Sequence, residues 1–219
     1  MVQKSAALQA KAEVARIRAK QKARDTRRRV VFIAAAVLAA LGLIAVVWAV
    51  LAGESKRVEG IEQAARLPIE GVTELPDAPA VHVESLSEPT PTAVEETVLP
   101  PASGEHDPVV QNCGIYTEPI ASAKAVHSLE HGAVWITYRT GLDQRQIDAL
   151  AALANARDYT LLSPMDALAA PVVLTAWGIQ LEVDNASDPR VEPFLAKYVQ
   201  GEQTPEPGAP CSGGFGDPA

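Results

Sequence analysis

Val126-His127-Ser128-Leu129-Glu130-His131-Gly132-Ala133-Val134 carries the densest chemistry in the chain and leads straight into its core. Two of the four histidines stand four positions apart with a carboxylate between them. A short helix over Ala123 to His131 sets both imidazoles on one face, because residues i and i+4 stack along a helix. Gly132 ends that pattern. The run that follows, Ala133 to Tyr138 (AVWITY), is β-branched and aromatic and reads as a strand. A helix that stops at a glycine and continues as a strand makes this part of the chain mixed in secondary structure.

Further along, Asp143 caps a helix running to about Ala156, with Ile147, Leu150 and Leu153 on one face. Tyr159 to Leu162 is a short strand. Pro171 to Trp177 (PVVLTAW) is a buried strand, followed across Gly178 by another at Gln180 to Val183. Asp188-Pro189 opens a second helix that ends near Gln200-Gly201, with Val191, Phe194, Leu195 and Tyr198 inward. Thr204 to Ala219 is loop-like. Trp135 and Trp177 read as core. The expected fold class is α+β, a small domain with one sheet and two packed helices.

Towards the N-terminus the character changes. Val30 to Leu51 is 22 residues without charge or proline. As a helix it spans ~33 Å, enough for a bilayer core of about 30 Å. It is too long and starts too late for a signal peptide, so it reads as a retained transmembrane helix. Residues 1–29 hold ten Lys/Arg against Glu13 and Asp25, a net charge of +8. The whole chain carries −8, so residues 30–219 carry −16. An acidic body argues against nucleic acid as a partner, and a basic head beside an apolar helix has a simpler meaning. Positive charge stays inside, so residues 1–29 form a cytoplasmic tail and everything after the helix is extracytoplasmic. The membrane is therefore an expected partner.

Residues 52–79 read as a Pro/Glu-rich linker with one short helix, Gly60 to Arg66. Val81-His82-Val83 is an apolar island that can dock onto the domain. Cys113 and Cys211, both on the oxidising side, are expected to form a disulfide.

All four histidines, His82, His106, His127 and His131, follow the apolar helix. Imidazole suits copper and zinc, and Glu130 can ligate or orient a ring. Met165, in Ser163-Pro164-Met165, offers a thioether, which would favour copper, particularly Cu(I), over zinc. The expected metal set is His106, His127 and His131, supported by Met165, His82 and Glu130, with copper first and zinc second. The competing reading is structural: imidazoles bonded to loop carbonyls, and Met165 filling core. His127 to His131 also spells H-x-x-E-H, an inverted zinc-protease motif. In such enzymes both histidines lie within a long helix, whereas here Gly132 and a strand follow at once. Metal binding is thus favoured over a metal-dependent hydrolase. A non-metal interaction module, engaging an envelope protein, is the remaining alternative.

Several motifs occur in order: Leu99-Pro100-Pro101-Ala102-Ser103-Gly104-Glu105-His106, Asn112-Cys113-Gly114-Ile115-Tyr116, Val126 to Gly132, Ala176-Trp177-Gly178 and Gln203-Thr204-Pro205-Glu206-Pro207-Gly208. Together with His82-Val83 they resemble the DUF3105 family of bacterial proteins, common in actinobacteria. The resemblance covers about residues 80–214. It implies one N-terminal membrane helix and an outer domain of uncharacterised function, and it supplies no activity.

Overall fold

The computed structural model describes residues 2–76, 78–84 and 100–219. The expectation of an extended spacer over residues 85–99 lies outside them. The chain divides into two compact units, residues 1–57 and 58–219.

The first unit is helical. Helix α1 spans Val2–Ala65, so the apolar run expected at Val30 to Leu51 is the middle of a much longer helix. The separate short helix expected at Gly60 to Arg66 does not form, because α1 continues through it. Ala, Glu and Lys around Gly53 and Gly60 favour helix enough to absorb a cost of about 1 kcal/mol per glycine. Phe32, Leu38, Leu43 and Trp48 are all more than half exposed. This is the one described helix long and apolar enough to cross a membrane, and none of the described residues covers its apolar stretch.

The second unit holds the sheet. Its strands are β1 (Val72–Glu74), β2 (Val81–His82), β3 (Glu105–His106), β4 (Gly114–Ile115), β5 (Val134–Tyr138), β6 (Thr160–Pro164), β7 (Val172–Ala176) and β8 (Ile179–Val183). Six of them form a mixed sheet in the order β1-β8-β7-β5-β6-β4. The parallel neighbours β5 and β6 are joined by helix α3 (Gln144–Asn155), and Asp143 accepts a hydrogen bond from the Arg145 N–H at its N-cap. Asp143→Ala leaves that donor unsatisfied. It is expected to lower stability by about 1 kcal/mol, read as a fall in the thermal unfolding midpoint.

Alternation along β5 decides the layering. Val134, Ile136 and Tyr138 point to one face, where Leu150 of α3 and Val191, Phe194 and Leu195 of α4 (Val191–Tyr198) complete the larger core. Trp135 points to the other face and packs with Leu161, Trp177 and Ala125, Val126 and Leu129 of helix α2 (Ser122–Glu130). The sheet therefore lies between α2 and the α3–α4 pair. Both tryptophans are core, as expected.

The architecture is richer than one sheet with two helices. A third helix, α2, covers the second face, and β2 and β3 form a separate two-stranded parallel sheet. The stretch expected to be a linker also takes part, since Val72, Thr73 and Glu74 pair antiparallel with Leu181, Gln180 and Ile179 at the sheet edge. Cys113 and Cys211 are disulfide-bonded, with Cα atoms 5.4 Å apart and a sequence separation of 98.

Candidate metal centre

The site grows from the last turn of α2. Spacing of three and four residues places His127, Glu130 and His131 on one face. His131 is the C-cap. Gly132 donates to the Leu129 carbonyl and Ala133 to that of Ser128, the paired closure of a Schellman motif. The motif needs a left-handed residue, and Gly132 supplies it at φ +93. A Cβ there would also run into the Gln200 side chain, which donates to the His131 carbonyl. The turn thus fixes His131 at the mouth of β5 with its ring turned back over α2.

Three further segments converge on that turn. The loop before α2 brings His106, and the register of the small sheet sets His82 beside it. The segment after α4 brings Glu206, whose N–H donates to the Glu130 carbonyl. Ring centroids lie 4.7 Å apart for His82–His106, 4.7 Å for His82–His127, 5.1 Å for His106–His127 and 4.5 Å for His127–His131. His106 is fully buried, with Trp177 edge-on to its ring at 5.8 Å. His127, Glu130 and His131 are buried too, while His82 is exposed.

The hydrogen bonds settle the tautomers. Nδ1 of His106 faces the Gly104 carbonyl at 2.8 Å, that of His127 the Asp107 carbonyl at 2.7 Å, and that of His131 the Pro210 carbonyl at 2.8 Å. A carbonyl only accepts, so each Nδ1 carries the hydrogen and donates it. In the neutral ring, Nε2 is then a bare lone pair. These lone pairs point at one another and at one carboxylate. His127 Nε2 is 3.0 Å from His131 Nε2. Glu130 Oε2 is 3.0 Å from His106 Nε2, 3.3 Å from His82 Nε2 and 3.8 Å from His127 Nε2. On the far side, Glu206 Oε2 lies 3.7 Å from His131 Nε2.

The loop carrying the Asp107 carbonyl is itself clamped. Lys124 Nζ of α2 is 2.8 Å from the Asp107 carboxylate, and the Val109 N–H donates to the same group at 2.7 Å. Burial acts to raise this carboxyl, but the Lys124 and Val109 bonds outweigh it and hold it below the usual carboxylate range. Burial likewise dominates at His127, pushing the imidazole below its ordinary value; the Asp107 carbonyl opposes the shift and the rings of His131, His106 and His82 reinforce it.

The expected ligands His82, His106, His127, His131 and Glu130 are thus brought together. Met165 is not among them. It packs against the Trp135–Leu161–Trp177 cluster and against Leu168, Ala170 and Val173. Its N–H donates to the Tyr138 carbonyl, at the opposite end of β5 from Gly132. The carbonyl bonds of the structural reading form at His106, His127 and His131, while the other nitrogen of each of these rings faces the cluster. Glu206 was not foreseen. Its only signal is a carboxylate wedged between Pro205 and Pro207, which fix its backbone.

What these elements define is a mixed α/β domain that follows a long apolar helix and carries a buried cluster of imidazoles and carboxylates. His82, His106, His127 and Glu130 offer ligand atoms all within 4.8 Å of one another, so the cluster could hold a metal ion. The sequence profile described as "Protein of unknown function (DUF3105)" matches residues 89–213, more than half of the chain, and the protein belongs to that family. Neither a curated protein nor a solved structure matches the chain.

Proposed function

We propose that the cluster binds a divalent transition metal, zinc or copper(II), on a domain that α1 anchors to the outer side of a membrane. One observation carries the metal reading. The Nε2 atoms of His127 and His131 are 3.0 Å apart, with both Nδ1 hydrogens committed to carbonyls. Two lone pairs at that distance repel unless a cation lies between them. Zinc–nitrogen bonds of about 2.0–2.1 Å at a tetrahedral angle put two ligand nitrogens about 3.4 Å apart. The rings therefore sit within a few tenths of an ångström of a ligating arrangement. Carbonyl partners on Nδ1 are also what orients metal-binding imidazoles. The C-terminal end of α2, negative by its peptide dipoles, favours a cation by about 0.3–1 kcal/mol.

The preference for Cu(I) rested on a thioether, and Met165 packs at the other end of β5. Imidazole and carboxylate donors fit zinc or copper(II) instead. Binding is favoured over hydrolysis because Glu130, the base of an H-x-x-E-H enzyme, is buried against His106 and His82.

Three observations support the topology. The apolar middle of α1 is uncovered, the charge of residues 1–29 is +8, and the domain carries a disulfide suited to an oxidising compartment.

The test is calorimetric titration of the full-length chain in detergent, stripped with chelator, with zinc and with copper(II). Uptake is expected at about pH 7 and should weaken progressively below the ordinary imidazole value of about 6.5. There protons compete for the lone pairs and metal binding must release them. Uptake of neither metal at about pH 7 would refute the reading, leaving the lone pairs satisfied by protons as imidazolium–carboxylate pairs.

A further inference from the structure

Resting on that reading, we propose that His82 fills an exchange position on the single ion: an imidazole from outside the chain, free or as a histidine side chain, displaces His82 and binds the metal in its place. The four rings are not held alike. Nδ1 of His106, His127 and His131 is bonded to the Gly104, Asp107 and Pro210 carbonyls at 2.8, 2.7 and 2.8 Å. Swinging one of these rings off the ion breaks such a bond inside the domain. Among the described residues, no backbone carbonyl holds the His82 ring. Its side chain is 46% exposed, against 0% for His106, 7% for His127 and 10% for His131. Its strand is equally slight. The ladder of β2 with β3 is two residue pairs long, flanked by the Val83 N–H donating to the His106 carbonyl at 2.9 Å. A strand with so few exposed backbone bonds opens locally without unfolding the domain.

Displacement leaves the ion bound. It keeps His127 and His131, between whose Nε2 atoms it lies, and the Glu130 carboxylate 3.8 Å from His127 Nε2. Three protein ligands and one exchangeable ligand are a common metal arrangement. One metal–nitrogen bond breaks and another forms, so neither the charge of the site nor the oxidation state of the ion changes.

Two features select the incoming donor. The place His82 leaves is bounded by flat rings: its centroid is 4.7 Å from that of His106, at an interplanar angle of 88°, and 4.7 Å from that of His127, at 37°. A planar heterocycle fits between them edge-on and tilted, as aromatic pairs pack. Charge excludes anions. Glu130 and Glu206 already place two carboxylates at the cluster, and residues 30–219 are strongly acidic, so a further anion is repelled and a neutral nitrogen donor is not.

The experiment uses full-length protein in detergent, stripped, loaded with one equivalent of copper(II) and freed of excess metal by gel filtration. Pulsed electron paramagnetic resonance then reads isotopically labelled nitrogen bound to the copper. The probes are labelled imidazole and a short peptide with one labelled histidine. A donor on a short tether competes at an effective concentration in the mM range, so about 100 mM imidazole is expected to bind wild type. His82→Ala, where only water competes, should half-saturate at an imidazole concentration at least about tenfold lower. Because water takes the empty position, His82→Ala is also expected to lose at least about tenfold less copper affinity than His127→Ala. Entry of imidazole alone makes the ligand a small molecule, and entry of the peptide as well admits a side chain; either supports the proposal. Absence of the labelled nitrogen from wild type overturns it. So does equal imidazole affinity in wild type and His82→Ala, which removes His82 from the ion, or a copper loss in His82→Ala as large as in His127→Ala. Acetate that suppresses the signal as well as unlabelled imidazole does overturns the choice of a nitrogen donor. Failure of wild type to bind copper overturns both this inference and the metal reading beneath it.

Discussion

Replacing His127 with alanine is expected to lower zinc affinity at the cluster by at least about 100-fold. Loss of an outer partner of a metal ligand already costs 10–100-fold, and loss of the ligand itself costs more. His127 is the imidazole whose ring meets those of His82, His106 and His131, at 4.7, 5.1 and 4.5 Å. Its Nε2 lies 3.0 Å from His131 Nε2 and 3.8 Å from Glu130 Oε2. The substitution is mild for the fold in the absence of metal. Alanine is the best helix former, and the side chain removed is held by a single carbonyl, that of Asp107. Chelator-treated wild type and variant should therefore unfold at similar temperatures, while added zinc raises the midpoint of wild type alone. Equal zinc stabilisation of both proteins would count decisively against His127 as a ligand.

The second large effect is expected from removing the disulfide. Cys113→Ser with Cys211→Ser opens a connection across 98 residues of sequence and should cost about 2–5 kcal/mol. The bond matters beyond loop closure because of what lies beside Cys211. Pro210, its neighbour, supplies the carbonyl that orients His131, and the backbone of Cys113 donates to the Cys211 carbonyl at 2.8 Å. Tyr159 holds the same segment through the Ala209 carbonyl at 3.0 Å. The double variant is thus expected to lose stability and zinc affinity together, whereas Asp143→Ala loses stability alone. Thermal unfolding and zinc titration on the same preparations separate the two patterns. Unchanged zinc binding in a destabilised double variant would show that Pro210 does not depend on the disulfide.

Much of this was legible in the chain because the relevant signals are local. The four-residue spacing of His127 and His131, the stop at Gly132 and the apolar alternation of Val134 to Tyr138 each name an element and its face. Asp143 marks a helix start by side-chain chemistry alone. The disulfide followed from having two cysteines and an inferred compartment. What escaped the reading is non-local. Val72-Thr73-Glu74 is too short to announce a strand, and it becomes one only because β8 offers an unpaired edge. Glu206 lies in a Pro/Gly-rich tail, and its placement beside His131 depends on a backbone bond to Glu130, 76 positions earlier, which no periodicity records. The error at Met165 was one of direction. Residue type suggested a soft ligand, but the strand it follows runs away from the histidines.

The pairing of β2 with β3 has a practical consequence. That ladder is two residue pairs long, and His82 lies upstream of the matched family region, which begins at residue 89. A shortened protein designed from that region would retain His106, His127, Glu130, His131 and the cystine, yet would lack one wall of the cage and the strand that caps β8. Such a truncate would present a vacant corner where the intact chain supplies an imidazole, and metal chemistry measured on it would belong to a different object.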